Sequence, residues 1–531
     1  MTDDEQTLEK LKVMVLDCQT TGASPTHGNI LELSWAVSDA SLTDPVETKS
    51  YLIKQDDPLP PRIAKITGIH DDDLEDASEI EDVIGEVVKS IDLHKLKYCV
   101  IHFAKFEKAF LEDAFETFLG QPFPLQYICT HEIAKRLYPD LPSRGIRALA
   151  GYFSNTLEED KRSSSHVIAT SSIWHHLVKE LEAIPTTSIA GLTKWIQETV
   201  PTKRKTRDYP LDRKIRLSLP KAAGIYRMLS KDGSILYIGK AKSLHARVNS
   251  YFRGQKKRNQ LHMEMLTQTV NISTETTETY FEAAVLENDE IKKISPPYNI
   301  SLREKKYQPI FYNKDFTEYA NEYSTNHPIG PFSSIRALQP LQNIYFTLQG
   351  IAAFDGTLLQ DIDQEIISEG FSLFSQQWQI DVRSLKIRSL LAIGLVSLRN
   401  DSEDNDEQNL DDEQDLAEDE WTAESFASIL QGICRHSARQ YRRCKELLRL
   451  ANSQIFWKKK TKGEGWRYLR FENSKITARE NIKTARSIPK MVEEKSESLS
   501  RMDQVDFDRL RVSLTEVNRI EKEGREVRLY W

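Results

Sequence analysis

Residues 219–252 read LPKAAGIYRMLSKDGSILYIGKAKSLHARVNSYF. Gly224-Ile225-Tyr226 and Tyr237-Ile238-Gly239 are separated by ten residues, and each lies in a short strand pattern. Lys231-Asp232-Gly233-Ser234 between them has hairpin-turn chemistry. The spacing predicts an antiparallel pair with the tyrosines side by side and glycines that let a phosphate backbone approach. Lys240-Ala241-Lys242-Ser243-Leu244 then opens a helix carrying Arg247, with Tyr251 one turn later on the same face. Downstream stand Glu287, in Val-Leu-Glu-Asn, and Pro297-Tyr298-Asn299. Tyr226, Tyr237 and Tyr251 would also serve as core aromatics and Asn299 as a turn residue. Arg247 and Glu287, being charged, are poor core fillers.

Charge along the 531-residue chain is segregated. The whole carries 72 Lys+Arg against 80 Asp+Glu, but residues 201–260 hold 17 basic and 3 acidic side chains. Such an imbalance over 60 residues is the footprint of a phosphate-backbone partner; a solvated lysine-rich surface is the plainer reading of it. Residues 401–420 hold 12 acidic and no basic side chains, too little apolar surface to fold, and read as a disordered insertion. No membrane role is expected: Ser389–Leu398 is the longest near-continuous apolar run, far below the roughly 20 residues of a spanning helix. The acidic start MTDDEQTLEK shows no leader or transit pattern. Five scattered cysteines suit neither a disulfide framework nor a zinc ribbon and fit a reducing, cytoplasmic setting.

Length alone predicts two to four domains. Residues 10–185 alternate strand and helix patterns: Lys12–Leu16 as a strand ending at Asp17, Ile30–Val37 pairing with it, Tyr98–Ile101 as a buried strand, and Ala104–Leu119 as a helix stopped by Gly120. Residues 186–218 read as a linker with a short amphipathic piece around Trp195. Residues 219–335 form a second α/β unit, 336–400 an uncharacterised region, and 421–531 a helix-plus-hairpin region. In the last, Ile455–Lys460 and Trp466–Phe471 flank a Lys462-Gly463-Glu464-Gly465 turn. Interleaved aromatics and cations there suit a single-strand stacking platform or an ordinary charged-edge hairpin. Arg435, Arg439, Arg442 and Arg443 on the preceding helix extend a DNA track or face water.

The stretch 219–252, together with AAVLENDEIKKISPPYNI, resembles the GIY-YIG nuclease domain of UvrC/Cho-type excinucleases, and Gly330-Pro331-Phe332 looks like the tract that follows it. The resemblance implies a DNA endonuclease that nicks one strand of damaged DNA in nucleotide excision repair, in a bacterial cytoplasm, loaded by damage-recognition proteins. It implies catalytic roles for Tyr226, Tyr237, Lys240, Arg247, Tyr251, Glu287 and Asn299. Glu287 would hold Mg²⁺ or Mn²⁺, since a single carboxylate plus waters suits a hard ion. Arg247 would fork onto the scissile phosphate. One phenol would accept the proton of water, with Lys240 and the metal lowering its pKa from about 10. Lys240, Lys242, Arg253, Lys256, Lys257 and Arg258 are the expected DNA contacts. The four-cysteine cluster, tandem DNA-binding elements and second nuclease domain of UvrC-like proteins are not recognisable, so one kind of cut is expected.

Asp17-Cys18-Gln19-Thr20-Thr21-Gly22, Thr67-Gly68-Ile69, His102–Glu107, Ile128-Cys129-Thr130, Leu141-Pro142-Ser143 and His166 resemble the DnaQ-like (DEDDh) 3′→5′ exonucleases, an RNase H-like fold. That family uses four carboxylates to hold two metal ions, with a histidine as base. Here Asp17 remains, Gln19 replaces a glutamate, Glu107 replaces an aspartate, and Ser171 stands five after His166, where the last aspartate belongs. The expectation is a degenerate exonuclease site; a Gln19→Glu plus Ser171→Asp revertant that gained activity would show the groove to be otherwise intact. The fold class is thus a multidomain α/β protein: an RNase H-like exonuclease fold, a small GIY-YIG α/β domain, then a mixed α+β region with an acidic insertion. Two rival functions are a non-catalytic DNA-binding scaffold with both sites silent and an active exonuclease.

Overall fold

The computed structural model describes residues 7–45, 47–154, 161–184, 186–198, 209–253, 259–299, 309–348, 363–381, 385–400, 422–459, 465–483 and 502–530. The expected insertion 401–420 and most of the 462–465 turn therefore lie outside the described residues. Two compact units result, 1–278 with 296–300 and 279–295 with 301–531.

The first unit is built on β1 (Val13–Thr20), an apolar run with neighbours on both sides. It pairs antiparallel with β2 (Ile30–Ser38) and parallel with β4 (Tyr98–Ile101). With β3 (Thr48–Leu52) and β5 (Gln126–Cys129) the order is β3-β2-β1-β4-β5. Helices α1 (Pro61–Thr67), α2 (Ile80–His94), α3 (Ala104–Leu119), α4 (Thr130–Leu137), α5 (Ile146–Tyr152), α6 (Ser163–Glu182) and α7 (Ile189–Gln197) accompany it. Strand alternation divides β1 between two cores. Met14, Leu16 and Cys18 pack with Val83 and Val87 of α2 and with Phe110 and Phe115 of α3. Val13 and Val15 pack with Val167, Ile173 and Leu177 of α6. Asp17 and Gln19 share the parity of Val13, so the sequence turns both toward α6. As expected, α3 stops at Gly120, whose φ of 66° is the left-handed cap glycine favours.

The amphipathic piece around Trp195 departs from the linker reading. It is α7, and its Ile189 and Leu192 are buried in the core that holds Val13 and Val15. Residues 199–208 of the expected linker lie outside the described residues. From Leu211 the chain joins the next core, with α8 (Arg213–Leu217), β6 (Gly224–Leu229), β7 (Ile235–Ala241), α9 (Leu244–Ser250), α10 (Gln260–Gln268) and β8 (Asn271–Thr276). These strands form an antiparallel sheet in the order β7-β6-β8.

In the second unit stand α11 (Tyr280–Ile294), β9 (Ile310–Tyr312), β10 (Tyr319–Ala320), β11 (Ile329–Phe332), α12 (Gln339–Leu348), α13 (Gln364–Trp378), α14 (Ile387–Asn400), α15 (Ala423–Ala451), β12 (Gln454–Lys458), β13 (Trp466–Glu472), β14 (Lys475–Ile482), α16 (Gln504–Lys522) and β15 (Val527–Tyr530). The β9–β11 sheet shares a core with α12–α15. The sheet β14-β13-β12-β15 packs with α11 and α16. The segment 219–335 is therefore shared between units, because Phe281 and Val285 of α11 are buried with Trp457, Phe471, Leu510 and Leu514. Three ion pairs fasten the same helix: Glu282 with Arg467, Asp289 with Arg509 (2.9 Å) and Lys292 with Asp508 (2.7 Å).

The stacking-platform reading of the 455–471 hairpin fails. Phe456, Trp457, Trp466, Tyr468 and Phe471 are all buried, and Phe281 stacks on Trp457. Two of the four α15 arginines are engaged within the unit, Arg435 on Ser397 (2.8 Å) and Arg442 on Glu446 (3.3 Å).

The Arg467–Glu282 pair, with side chains 5% and 4% exposed, yields a stability prediction. Arg467→Ala leaves a buried carboxylate unpaired and should cost about 3–5 kcal/mol. Arg467→Met with Glu282→Leu should recover most of that loss, as measured by urea unfolding monitored through tryptophan fluorescence.

Candidate nuclease site

The hairpin register refines the side-by-side expectation. Tyr226 faces Gly239 and Tyr237 faces Met228, so the tyrosines are diagonal neighbours on one sheet face. Their ring centroids lie 6.1 Å apart. Gly239 makes this possible: a Cβ there would sit 2.4 Å from the Tyr226 phenol oxygen and 2.8 Å from the Tyr237 ring. A Cβ on Gly224 would meet the Glu275 carbonyl of β8 at 2.1 Å. Both glycines thus admit protein atoms, which corrects the view that they open the backbone to a phosphate.

Ser243 caps α9 by accepting from the Ala246 amide, fixing where the helix starts and hence where Arg247 points. Tyr251 closes the helix, and its phenol is 2.8 Å from that of Tyr226. Arg247 donates to the Tyr251 phenol at 3.3 Å and lies over its ring. Three phenols and one guanidinium therefore converge. Burial holds the Tyr226 phenol well above its ordinary pKa; the neighbouring Tyr251 and Tyr237 add to this, and Arg247 only partly opposes it. Against its own partial burial, Arg247 is held charged by the phenol oxygens of Tyr251 and Tyr226.

Two expectations change here. Tyr226, fully buried, is a neutral phenol and not a poised base. Lys240 pairs in register with Ile225 and, three residues from Tyr237, stands on the opposite sheet face by strand alternation.

Asn299 is a fastener. Its Oδ1 accepts from the Ile238 amide (2.9 Å) and its Nδ2 donates to the Ile238 carbonyl (2.8 Å). Glu287 lies on α11 in the second unit and is 7% exposed. Lys242 and Arg253 are exposed, while Lys256, Lys257 and Arg258 lie outside the described residues. One neighbour carried no motif signal: the His262 ring lies edge-on to Tyr251 at 5.8 Å, brought there by α10.

At the other site, β1 presents Asp17 to His166 of α6, with Nδ1 3.2 Å from Oδ2. The Gln19 amide donates to the same Asp17 oxygen at 3.2 Å. Glu107 is buried, and that burial together with the Asp17 charge holds its carboxyl well above the usual range. With Gln19 uncharged the groove offers two carboxylates, Asp17 and Glu107, and Asp17 is already bonded to an amide and an imidazole, which is little charge for two divalent cations. Among the described residues no group of three or more His, Cys, Asp or Glu is arranged to hold a metal.

Ser171 is not in this cluster. It is fully buried and bonded to Ser38 at 3.2 Å, and Ser38 pairs with Val13 at the end of β1 remote from Asp17. His166 is the α6 side chain that reaches Asp17, so counting five residues on from it leaves the groove.

Residues 222–300 match the family model for the UvrC-like GIY-YIG domain, and residues 14–166 match the exonuclease model RNase_T. The chain is thus an exonuclease-fold domain followed by a UvrC-like GIY-YIG domain and a mixed α/β remainder. Among curated relatives, UvrABC system protein C of Stenotrophomonas maltophilia (strain K279a) is 35% identical over 136 residues, 24% of this chain and 22% of that protein. Its counterpart in Alkalilimnicola ehrlichii is 38% identical over 141 residues, 25% and 22% respectively. The chain therefore covers less than a quarter of either relative's length. The magnesium-bound GIY-YIG N-terminal endonuclease domain of UvrC from Thermotoga maritima is 33% identical, covering 17% of this chain and 94% of that one, with a TM-score of 0.15. Exonuclease X in complex with 5′ overhanging duplex DNA is 22% identical, covering 33% and 95%, with a TM-score of 0.26. No helix among the described residues is long and apolar enough to cross a membrane.

Two measurements follow from this geometry. The Tyr226 phenol should not ionise near pH 10, so the wild-type minus Tyr226→Phe difference at 295 nm should stay flat until the protein unfolds in alkali. Because folding raises this pKa, the linked stability is complete below the unfolded value of about 10 and is lost as pH rises above it. Ser171→Asp should place a charge among buried serines and cost about 3 kcal/mol or more by thermal denaturation. It should restore no exonuclease activity, even with Gln19→Glu.

Proposed function

We propose that the chain is a Mg²⁺-dependent GIY-YIG endonuclease that nicks one strand of damaged DNA, in the manner of UvrC-like incision. The observation that carries this reading is the convergence of Arg247 with the phenols of Tyr226 and Tyr251. A guanidinium held charged over a stack of phenols is suited to a phosphodiester, with Arg247 donating to phosphate oxygens as negative charge grows on them. Tyr251 orients Arg247, and Tyr226 orients Tyr251. Tyr237, only half-buried, is the phenol placed to meet water, and we assign it the proton-accepting role. Asn299 holds Tyr237's strand.

Glu287 is the residue we assign to the divalent ion. A single buried carboxylate fits magnesium, which retains most of its waters and takes one or two protein oxygens. When bound, the ion supplies Lewis-acid stabilisation of the leaving oxygen. Lys242 and Arg253, within the basic stretch 201–260, are assigned to the DNA backbone. Damage-recognition and loading proteins are the proposed partners, in a bacterial cytoplasm. We assign no exonuclease activity to Asp17 and Glu107.

The test is nicking of a lesion-bearing duplex with Mg²⁺, with and without loading partners. Arg247→Ala should lose about 10²–10³-fold in rate, and Tyr237→Phe and Glu287→Gln should fall comparably. A 5′-labelled single strand should give no ladder. A wild-type chain that never nicks sinks the reading; an Arg247→Ala variant that nicks normally places the chemistry elsewhere.

A further inference from the structure

The exonuclease-fold domain has lost the charge its own site needs, yet it is firmly joined to the nuclease domain. The joint consists of the α4–α5 loop and α5 on one side and α10 with Pro297-Tyr298-Asn299 on the other. The Ser143 amide donates to Thr267 Oγ1 at 2.9 Å. Gln268 lies directly against Gly151, where any Cβ would come within 1.9 Å of its Oε1. The same Gln268 amide donates to the Arg147 carbonyl (3.2 Å) and to the Tyr298 phenol. The Arg147 guanidinium sits over the Tyr298 ring, 4.6 Å from its centroid, and donates to the Pro297 carbonyl at 3.4 Å. Thr267, Gln268 and Tyr298 are all buried.

The loop is also anchored behind. The His102 ring, at the end of β4, bonds the Arg144 carbonyl through Nε2 (3.1 Å) and Thr130 through Nδ1 (2.9 Å). Ahead of the joint, the Tyr298 amide donates to the Leu236 carbonyl (3.1 Å), and Asn299 brackets both backbone groups of Ile238. Residues 298–299 therefore grip the main chain on either side of Tyr237.

We propose that the exonuclease-fold domain serves as a rigid support for the nuclease site, with Arg147 as the positioning residue. By clamping Tyr298, Arg147 fixes Asn299 on Ile238 and hence the direction of the Tyr237 phenol. The inference rests on the nuclease reading above for its consequence in rate, but its structural half stands without it. A cation–π contact half withdrawn from water and a backbone clamp have the strength and reach for this, since small displacements of reacting groups change rates steeply.

The test uses the full chain and two readouts. In hydrogen–deuterium exchange, Arg147→Ala should speed exchange across 235–241, with Arg147→Lys restoring part of the protection. In nicking assays below the melting temperature of both proteins, Arg147→Ala should lower kcat about tenfold while leaving KM for DNA unchanged. Gln268→Ala, which removes the Tyr298 bond from the other side, should act in the same direction and stands in if Arg147→Ala does not fold. Unchanged exchange at 235–241 in a folded variant overturns the proposal, as does an unchanged kcat. A wild type that never nicks overturns the nuclease reading alone, because the exchange arm is read without turnover.

Discussion

A missing methyl group at one strand position governs the nuclease domain. Because Gly239 has no Cβ, the Tyr226 ring lies across β7 and its phenol reaches Tyr251, which in turn receives Arg247. Any side chain at 239 would strike that ring, and the displacement would pass through each phenol to the guanidinium. The constraint is steric at its origin and electrostatic at its end: packing sets the rings, and the rings set where a positive charge is held. Burial then keeps Tyr226 a neutral phenol and leaves the half-buried Tyr237 nearer to water.

The two nuclease-type domains show opposite outcomes of the same kind of charge balance. In the first, β1 still delivers Asp17 to the groove, but Gln19 and His166 satisfy its oxygens and Glu107 is held toward its neutral form. The cluster is not fully satisfied, since Glu107 Oε2 is buried with no hydrogen-bond partner among the described residues. In the second, Arg247 is held charged beside Tyr251 and the buried Tyr226, whose phenol burial keeps neutral.

How far the sequence could be read depended on the range of the interaction involved. Local signals were dependable. The Val13–Leu16 run, the Gly120 stop after α3 and the turn at Asp232-Gly233 all depend on neighbours in the chain, whereas the helix expected to open at Lys240 begins at Leu244, because β7 continues through Ala241. Family spacing singled out Tyr226, Tyr237, Arg247 and Tyr251, and the fold sets these four side chains beside one another. What failed was face and partner. Lys240 is an odd number of residues from Tyr237, so strand parity alone separates them. Ser171 was placed by counting from His166, but a helix needs one fixed contact before counting means anything, and that contact is His166 on Asp17. Trp195's helix read as linker because the elements covering it are distant in sequence, while the 455–471 strands pair as an ordinary hairpin whose aromatics are buried. Arg147 and Gln268 carried no signal, since their meaning comes from Tyr298 across a domain joint.

The attachment of α11 bears on how this protein can be divided. A fragment ending at residue 335 would contain every position of the GIY-YIG pattern, yet it would strip Phe281 and Val285 of their apolar cover and leave Glu282 and Asp289 facing no cation. The helix carrying Glu287 is, in folding terms, the property of the C-terminal body. The boundary that the sequence pattern suggests and the boundary set by packing part company here, because α11 belongs to the same compact unit as the C-terminal sheet.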